Sequence, residues 1–201
     1  DIVDSSEGFS RDYWSMFAEL GWLSIPFSED YGGYGGSVED IAVVMEEMGK
    51  GIVIEPFMPT VLMFGGLLSA CESEDLKAAY IPRIIDGTCL GGFAFLERQS
   101  RYEIADTKTT AMLTGSDFVI NGEKTVVYNG ACADSIVVTA RTSGSQYDRD
   151  GITCLLVDTD AAGIDRTSYS MMDGQQAANI SFNNVRIGKD RVLGSIDGGI
   201  E

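Results

Sequence analysis

Near Thr88 the spacing of apolar residues changes, and that change limits what this chain can fold into. Upstream, apolar side chains recur at three and four, the period of a helix with one buried face. Tyr13, Trp14, Phe17 and Leu20 predict one helix face, with Gly21 ending the helix. Ser37 is an expected N-cap, with Glu39 and Asp40 in the first turn, where the helix dipole favours negative charge. Ile41, Val44, Met45 and Met48 then form a buried stripe closed by Gly49, and a third helix is expected over Pro59 to Ala70. A fourth starts after Ser73, turns Leu76, Ala79 and Tyr80 inward and ends near Asp86-Gly87. Downstream, Phe118-Val119-Ile120, Asn121-Gly122 and Thr125-Val126-Val127-Tyr128 predict a hairpin, because Asn-Gly tolerates the positive φ angles of a tight turn. Ser135 to Arg141, Thr153 to Asp158 and Asn179 to Ile187 add strands at the spacing of a barrel or sandwich. The expected layout is a helical domain over 1–87 and a β-barrel domain over 88–201, an α+β multidomain chain.

Composition removes whole reaction classes. Not one of the 201 residues is histidine, so Ser-His-Asp triads, Cys-His dyads and the usual His-bearing zinc sites are excluded. The net charge of −17 opposes binding to a phosphate backbone, so no nucleic-acid partner is expected. That charge is uneven, −12 over residues 1–88 and −5 over 89–201, which leaves the second part better able to receive phosphates. Cys71, Cys89, Cys132 and Cys154 form no C-x-x-C pair and read as reduced core thiols, which suits a cytoplasmic protein. The first seven residues lack the basic-then-apolar run of a leader. No apolar run reaches the ~18 residues of a membrane span; the longest, Val61 to Leu68, is interrupted by Gly65 and Gly66.

Neither common nucleotide loop, G-x-G-x-x-G or G-x-x-x-x-G-K-[ST], occurs, and the glycines of Tyr31 to Gly36 read as a tight connection between helices. Asp148-Arg149-Asp150-Gly151 fails as a calcium loop, since Gln146 and Val157 fall on the first and twelfth ligand positions. Glu46 and Glu47 point in different directions on a helix and make no carboxylate pair. No metal site is expected.

Longer segments carry more. Glu19-Leu20-Gly21-Trp22-Leu23, Pro26 and Glu29-Asp30-Tyr31-Gly32-Gly33 resemble the start of an acyl-CoA dehydrogenase. Ser73-Glu74, Lys77, Tyr80-Ile81-Pro82 and Asp86-Gly87 are similar to that family's "SEEQK…YLP…GE" segment. Asn121-Gly122-Glu123-Lys124 with Ala133-Asp134 resembles its "NGEK…AD" segment. Phe182-Asn183-Asn184-Val185, Val192-Leu193-Gly194 and Gly198-Gly199 resemble its "FDDV…VLG…GG" ending. The resemblance implies an N-terminal helical domain, a middle β-barrel domain and a C-terminal four-helix bundle that lies beyond Glu201 and carries the catalytic base. No catalytic residue is therefore assigned here.

The resemblance also implies an FAD-dependent flavoprotein oxidoreductase of fatty acid metabolism. It converts an acyl-CoA substrate to a trans-2-enoyl-CoA and passes electrons to an electron-transferring flavoprotein or a similar acceptor. It is a homo- or hetero-oligomer, and this fragment alone is inactive. The family's flavin-facing "TEPxxGSD" and "WIT" segments correspond to Leu96 to Glu103 and to Val126-Val127-Tyr128. The expected cofactor-binding residues are Phe93, Phe95, Leu96, Arg98, Arg101, Tyr102, Val126, Val127 and Tyr128, with Arg98 and Arg101 on phosphate. Leu96 stands where the family has a flavin-bonding threonine, and Val126 where it has a tryptophan covering the ring. Tyr128 and Tyr102 replace a small threonine and a small serine. The Gln-Ser-Arg-Tyr stretch and the Val-Val pair resemble the small subunits of heteromeric bacterial members of the pimeloyl-CoA dehydrogenase kind. The alternative reading is a non-catalytic structural partner subunit of such a heteromer.

Overall fold

Three serines open three of the helices. The Ser10 hydroxyl accepts from the Tyr13 amide ahead of α1 (Arg11–Glu19). Ser37 and Asp40 form a reciprocal capping box ahead of α2 (Val38–Gly51), and Ser73 accepts from the Leu76 amide ahead of α4 (Glu74–Ile85). Between α2 and α4 a π-helical turn, Met58–Phe64, runs into α3 (Gly65–Ala70), so the expected third helix starts one residue early and widens. The computed structural model describes residues 2–3, 5 and 7–200. Asp1, Asp4 and Ser6 of the N-terminal run, and Glu201 at the chain's end, lie outside the described residues.

The helical stripes are narrower than the spacing predicts. Only Trp14 and Phe17 of α1 are buried; Tyr13 and Leu20 sit at the flank of that arc and are exposed. In α2 only Met48 is buried, and the helix passes Gly49 to end at Gly51, with Ile52 left-handed (φ 51°). In α4 Ala79 faces solvent, and Ile81 and Ile84 join Leu76 and Tyr80 in the core. Trp14 Nε1 donates to the Gly87 carbonyl at 3.0 Å, tying α1 to the end of α4.

The strands are β1 (Gly91–Ala94), β2 (Thr110–Thr114), β3 (Asp117–Tyr128), β4 (Ser135–Arg141), β5 (Ile152–Asp158), β6 (Ile164–Ser170), β7 (Gln176–Gly188) and β8 (Val192–Leu193). They form one sheet in the order β6-β7-β3-β2-β4-β5-β8, with β1 parallel to β4. The sheet rolls on itself, since β1 meets β3 and β5 meets β7 without pairing. Its interior holds Ala111, Phe118, Ile120, Val127, Ile136, Val138, Leu155, Val157 and Ile180.

Strands β4 and β5 are buried on both faces. Ile136, Val138, Leu155 and Val157 point into the roll, whereas Val137, Cys154 and Leu156 belong to the core shared with Trp14, Phe64, Tyr80 and Ile84. The helices therefore pack on the sheet through alternate residues of two strands. All four cysteines are free thiols, and Cys132 is the one that is half-buried. Among the described residues no helix is long and apolar enough to cross a membrane.

The predicted Asn121-Gly122 hairpin is absent. β3 runs unbroken through both residues, and the hairpin joins β2 to β3 across Gly115-Ser116, with Thr114 opposite Asp117. Asn-Gly instead marks a bulge, a register shift between Ile120 and Gly122. Gly122 has φ 147°, and a Cβ there would lie 2.6 Å from Thr109 Cα. Gly122→Ala should lower stability by about 1–3 kcal/mol, measured by urea unfolding; an unchanged midpoint would contradict this close approach.

Candidate functional site

Two segments carry most of the predicted site, and the fold sets them side by side. One continues from β1 through Phe95, Leu96 and Glu97; the other is the C-terminal half of β3. The Thr125 amide donates to the Leu96 carbonyl at 2.8 Å, and the Tyr128 carbonyl lies within 3.0 Å of a Cβ built on Gly92.

A buried ion pair beneath this seam joins the segments. Lys124 Nζ lies 2.8 Å from Glu97 Oε1, with the two side chains 0% and 4% exposed. The ammonium also donates to Thr139 Oγ1 (3.0 Å) and the Phe95 carbonyl (3.4 Å), so its three protons are all used. The Glu97 carboxylate accepts in addition from Gln99 Nε2, the Lys108 amide and the Thr109 amide at 2.8 to 3.0 Å. Burial pushes the Glu97 carboxyl up, but the Lys124 charge and these donors outweigh it and hold the group down at about 2. Burial pulls the Lys124 ammonium below its ordinary value against the attraction of Glu97.

Around the pair, Phe93 and Phe95 stack with ring centroids 4.8 Å apart, both half-buried. Leu96 and Tyr128 are half-buried, as is Val126, whose backbone is left-handed at φ 52°. Val127 is fully buried inside the sheet roll and offers no side chain to this face. Arg98 is exposed and lines a cavity of about 210 Å³ with Thr125, Asn179 and Ser181. Arg101 (φ 49°) and Tyr102, fully exposed, sit on the turn beyond Ser100, and no hydrogen bond or ion pair among the described residues joins them to Val126 or Tyr128. The structure thus brings together Phe93, Phe95, Leu96, Arg98, Val126 and Tyr128, and leaves Arg101 and Tyr102 at the tip of a turn.

The surface fits a flavin. It offers apolar side chains for a ring, and the Leu96 amide has no acceptor among the described residues. Arg98 and Arg101 have no ion-pair partner among them either. No described group of His, Cys, Asp and Glu is arranged to hold a metal ion.

Sequence reasoning missed Lys124 and Glu97 as site residues. The signal was there: Lys124 falls in phase with the inward-facing Phe118 and Ile120, where an unpaired charge would be costly. Arg141 was missed too. Its buried guanidinium donates to the carbonyls of Ala105, Gln146 and Asp150, clamping the loop that follows Glu97 to the β4–β5 loop.

Both domain models of the acyl-CoA dehydrogenase family match, the N-terminal domain over residues 1–88 and the middle domain over residues 92–185. The probable acyl-CoA dehydrogenase YngJ of Bacillus subtilis is 32% identical over 197 residues, covering 96% of this chain and 52% of that protein. A chain of the ChsE4-ChsE5 complex from Mycobacterium tuberculosis superposes with a TM-score of 0.86 at 26% identity, covering 94% of this chain and 49% of its own. A chain from a structure concerning the electron transferring flavoprotein of Acidaminococcus fermentans gives 0.87 at 26% identity, covering 96% and 52%. The chain therefore spans about half the length of the relatives it matches.

Lys124→Met strands the Glu97 carboxylate and should cost about 3–5 kcal/mol of stability, whereas replacing both partners by apolar residues should cost much less. The pH dependence has a fixed sign. Because Glu97 is depressed in the folded state, its stabilisation is complete above the ordinary carboxylate range and is lost as pH falls toward 2. Urea midpoints between pH 5 and pH 2.5 should fall more steeply in the parent chain than in Glu97→Gln, by a total on the order of 3 kcal/mol. Parallel slopes would contradict the assignment.

Proposed function

The chain belongs to the acyl-CoA dehydrogenase family, and from that premise we propose that it supplies the flavin-facing half of an FAD-dependent α,β-dehydrogenase of acyl-CoA thioesters. The observation that carries this reading is the Leu96 amide, a donor without an acceptor among the described residues, beside the apolar surface of Phe95, Leu96, Val126 and Tyr128. When bound, FAD supplies the hydride acceptor that turns the acyl thioester into a trans-2-enoyl thioester.

This chain's residues then bind, orient and exclude water. The Leu96 amide offers the hydrogen bond that its side chain cannot, since a backbone donor does not depend on residue identity. Phe93, Phe95, Val126 and Tyr128 present the apolar wall. Arg98 and Arg101 are the phosphate contacts, with guanidinium forks suited to bidentate binding. Glu97 is not the α-proton base, because a carboxylate held near 2 by Lys124 and three further donors is a weak proton acceptor. The base is proposed to lie outside this chain. An electron-transferring flavoprotein or a similar acceptor, an oligomeric assembly and a cytoplasmic setting complete the reading.

A second reading has its own support. Leu96 and Val126 lack the hydroxyl and the aromatic ring that the family places at the flavin, and one structural neighbour is the ChsE4-ChsE5 complex. In this reading the chain is a non-catalytic partner that shapes a heteromer.

One experiment separates the two. The full-length gene product is purified alone and with the product of the neighbouring gene, and flavin absorbance and enoyl-CoA formation are recorded. A yellow, active preparation of the single product supports the enzyme reading. A colourless product that gains activity only with its companion supports the partner reading. In the yellow form, Arg98→Ala and Arg101→Ala should each weaken FAD or CoA-ester affinity about tenfold, the loss of one charge-assisted contact. Unchanged affinity for both ligands would overturn the phosphate assignment.

A further inference from the structure

The β3–β7 ladder slips twice, and each time an asparagine sits opposite the slip. Between Ile120 and Gly122, Asn121 faces the extra residue of β7, left-handed Asn184 (φ 53°), and Asn121 Oδ1 accepts from the Asn184 amide at 2.9 Å. Between Lys124 and Val127 the roles reverse. Lys124 pairs with Ile180 and Val127 with Ala178, so Thr125 and Val126 of β3 oppose one residue of β7, Asn179. Asn179 Oδ1 accepts from the Val126 amide (3.3 Å), from Thr125 Oγ1 (2.8 Å) and from Tyr169 OH (3.3 Å).

The two slips differ in strain. Asparagine adopts the left-handed region readily, whereas a β-branched valine at φ 52° is an outlier that persists only where its surroundings over-determine it. A bulge also removes the ladder partner of its extra residue, and here the lost acceptor is replaced by a side chain. Tyr169 of β6 fixes that side chain from the far side, so three strands hold one backbone position.

We propose that Asn179 is a positioning residue that clamps Val126 in its left-handed conformation, and so sets the surface that the chain presents to the flavin isoalloxazine. The clamp lies outside the segments that resemble the family's flavin-facing motifs. The clamp itself stands on the hydrogen bonds of Asn179, whereas its consequence for the flavin rests on the function proposed above.

The test uses the full-length protein with Asn179→Leu, which keeps bulk and removes the acceptor, and Asn179→Asp, which keeps the acceptor. Amide hydrogen exchange should accelerate roughly tenfold at Val126 in Asn179→Leu while the Thr125 amide, bonded to Leu96, stays protected. FAD affinity, measured by quenching of flavin fluorescence, should fall about tenfold in Asn179→Leu and stay within about threefold of the parent in Asn179→Asp. Glycine takes the left-handed region freely, so Val126→Gly added to Asn179→Leu should recover the folding stability lost in Asn179→Leu, and it serves as the measurement if the single variant fails to fold. Unchanged Val126 exchange in Asn179→Leu, equal loss in Asn179→Asp, or no recovery with the glycine would each overturn the proposal. If the parent protein takes up no FAD, the flavin reading fails by itself, and Val126 exchange still decides whether Asn179 is a clamp.

Discussion

An ammonium and a carboxylate can be buried together only when each meets the other and their remaining hydrogen-bonding capacity is also met. Lys124 and Glu97 satisfy that condition with Phe95 and Gln99 from the segment around Glu97 itself, the Lys108 and Thr109 amides ahead of β2, and Thr139 of β4. The pair therefore fixes where β3 and β4 lie relative to the segment leaving β1, and where that segment turns back into β2. The two segments of the seam meet at this pair, one through Glu97 and the Phe95 carbonyl, the other through Lys124, with the Thr125–Leu96 backbone bond beside it. A half-satisfied version would be worse than an apolar core, so the arrangement is held as a unit.

Above the pair, the seam is shaped by irregularity rather than by regular strand. The slip at Thr125-Val126 turns one backbone position left-handed and half-exposes its side chain, while the next residue, Val127, drops into the sheet core. A regular ladder would have alternated these residues and given a different face. Arg141 does comparable work at the other end, holding two loops by their carbonyls with a side chain that is itself buried.

Much of the fold was legible where local chemistry and tertiary role agree. Ser37 and Ser73 cap helices as their neighbours suggest, and β4 and β5 stand out because burial on both faces makes them nearly continuous apolar runs. Asn121-Gly122 misled because a tight turn and a bulge ask for the same backbone freedom. What separates them is the approach of Thr109 to Gly122, from thirteen residues upstream in sequence. β6 was invisible since Ile164–Ser170 is mostly polar and exposed. In the candidate site, motif resemblance rather than periodicity is what singles out Phe93, Phe95, Leu96, Val126 and Tyr128. Val127 was misplaced because a one-residue slip reverses which neighbour faces in. Glu97, Lys124 and Asn179 stayed hidden because their roles depend on contacts 27 and 53 residues away.

The buried pair holds the seam in place before any cofactor arrives. Native-state hydrogen exchange on the flavin-free chain tests it most directly, at the amides of Lys108, Thr109 and Thr125, which bond Glu97 and Leu96. These three should exchange only through global unfolding, with the same apparent free energy as core amides of β4 such as Val138. Exchange through a local opening, at rates near those of the exposed loop between β4 and β5, would contradict it.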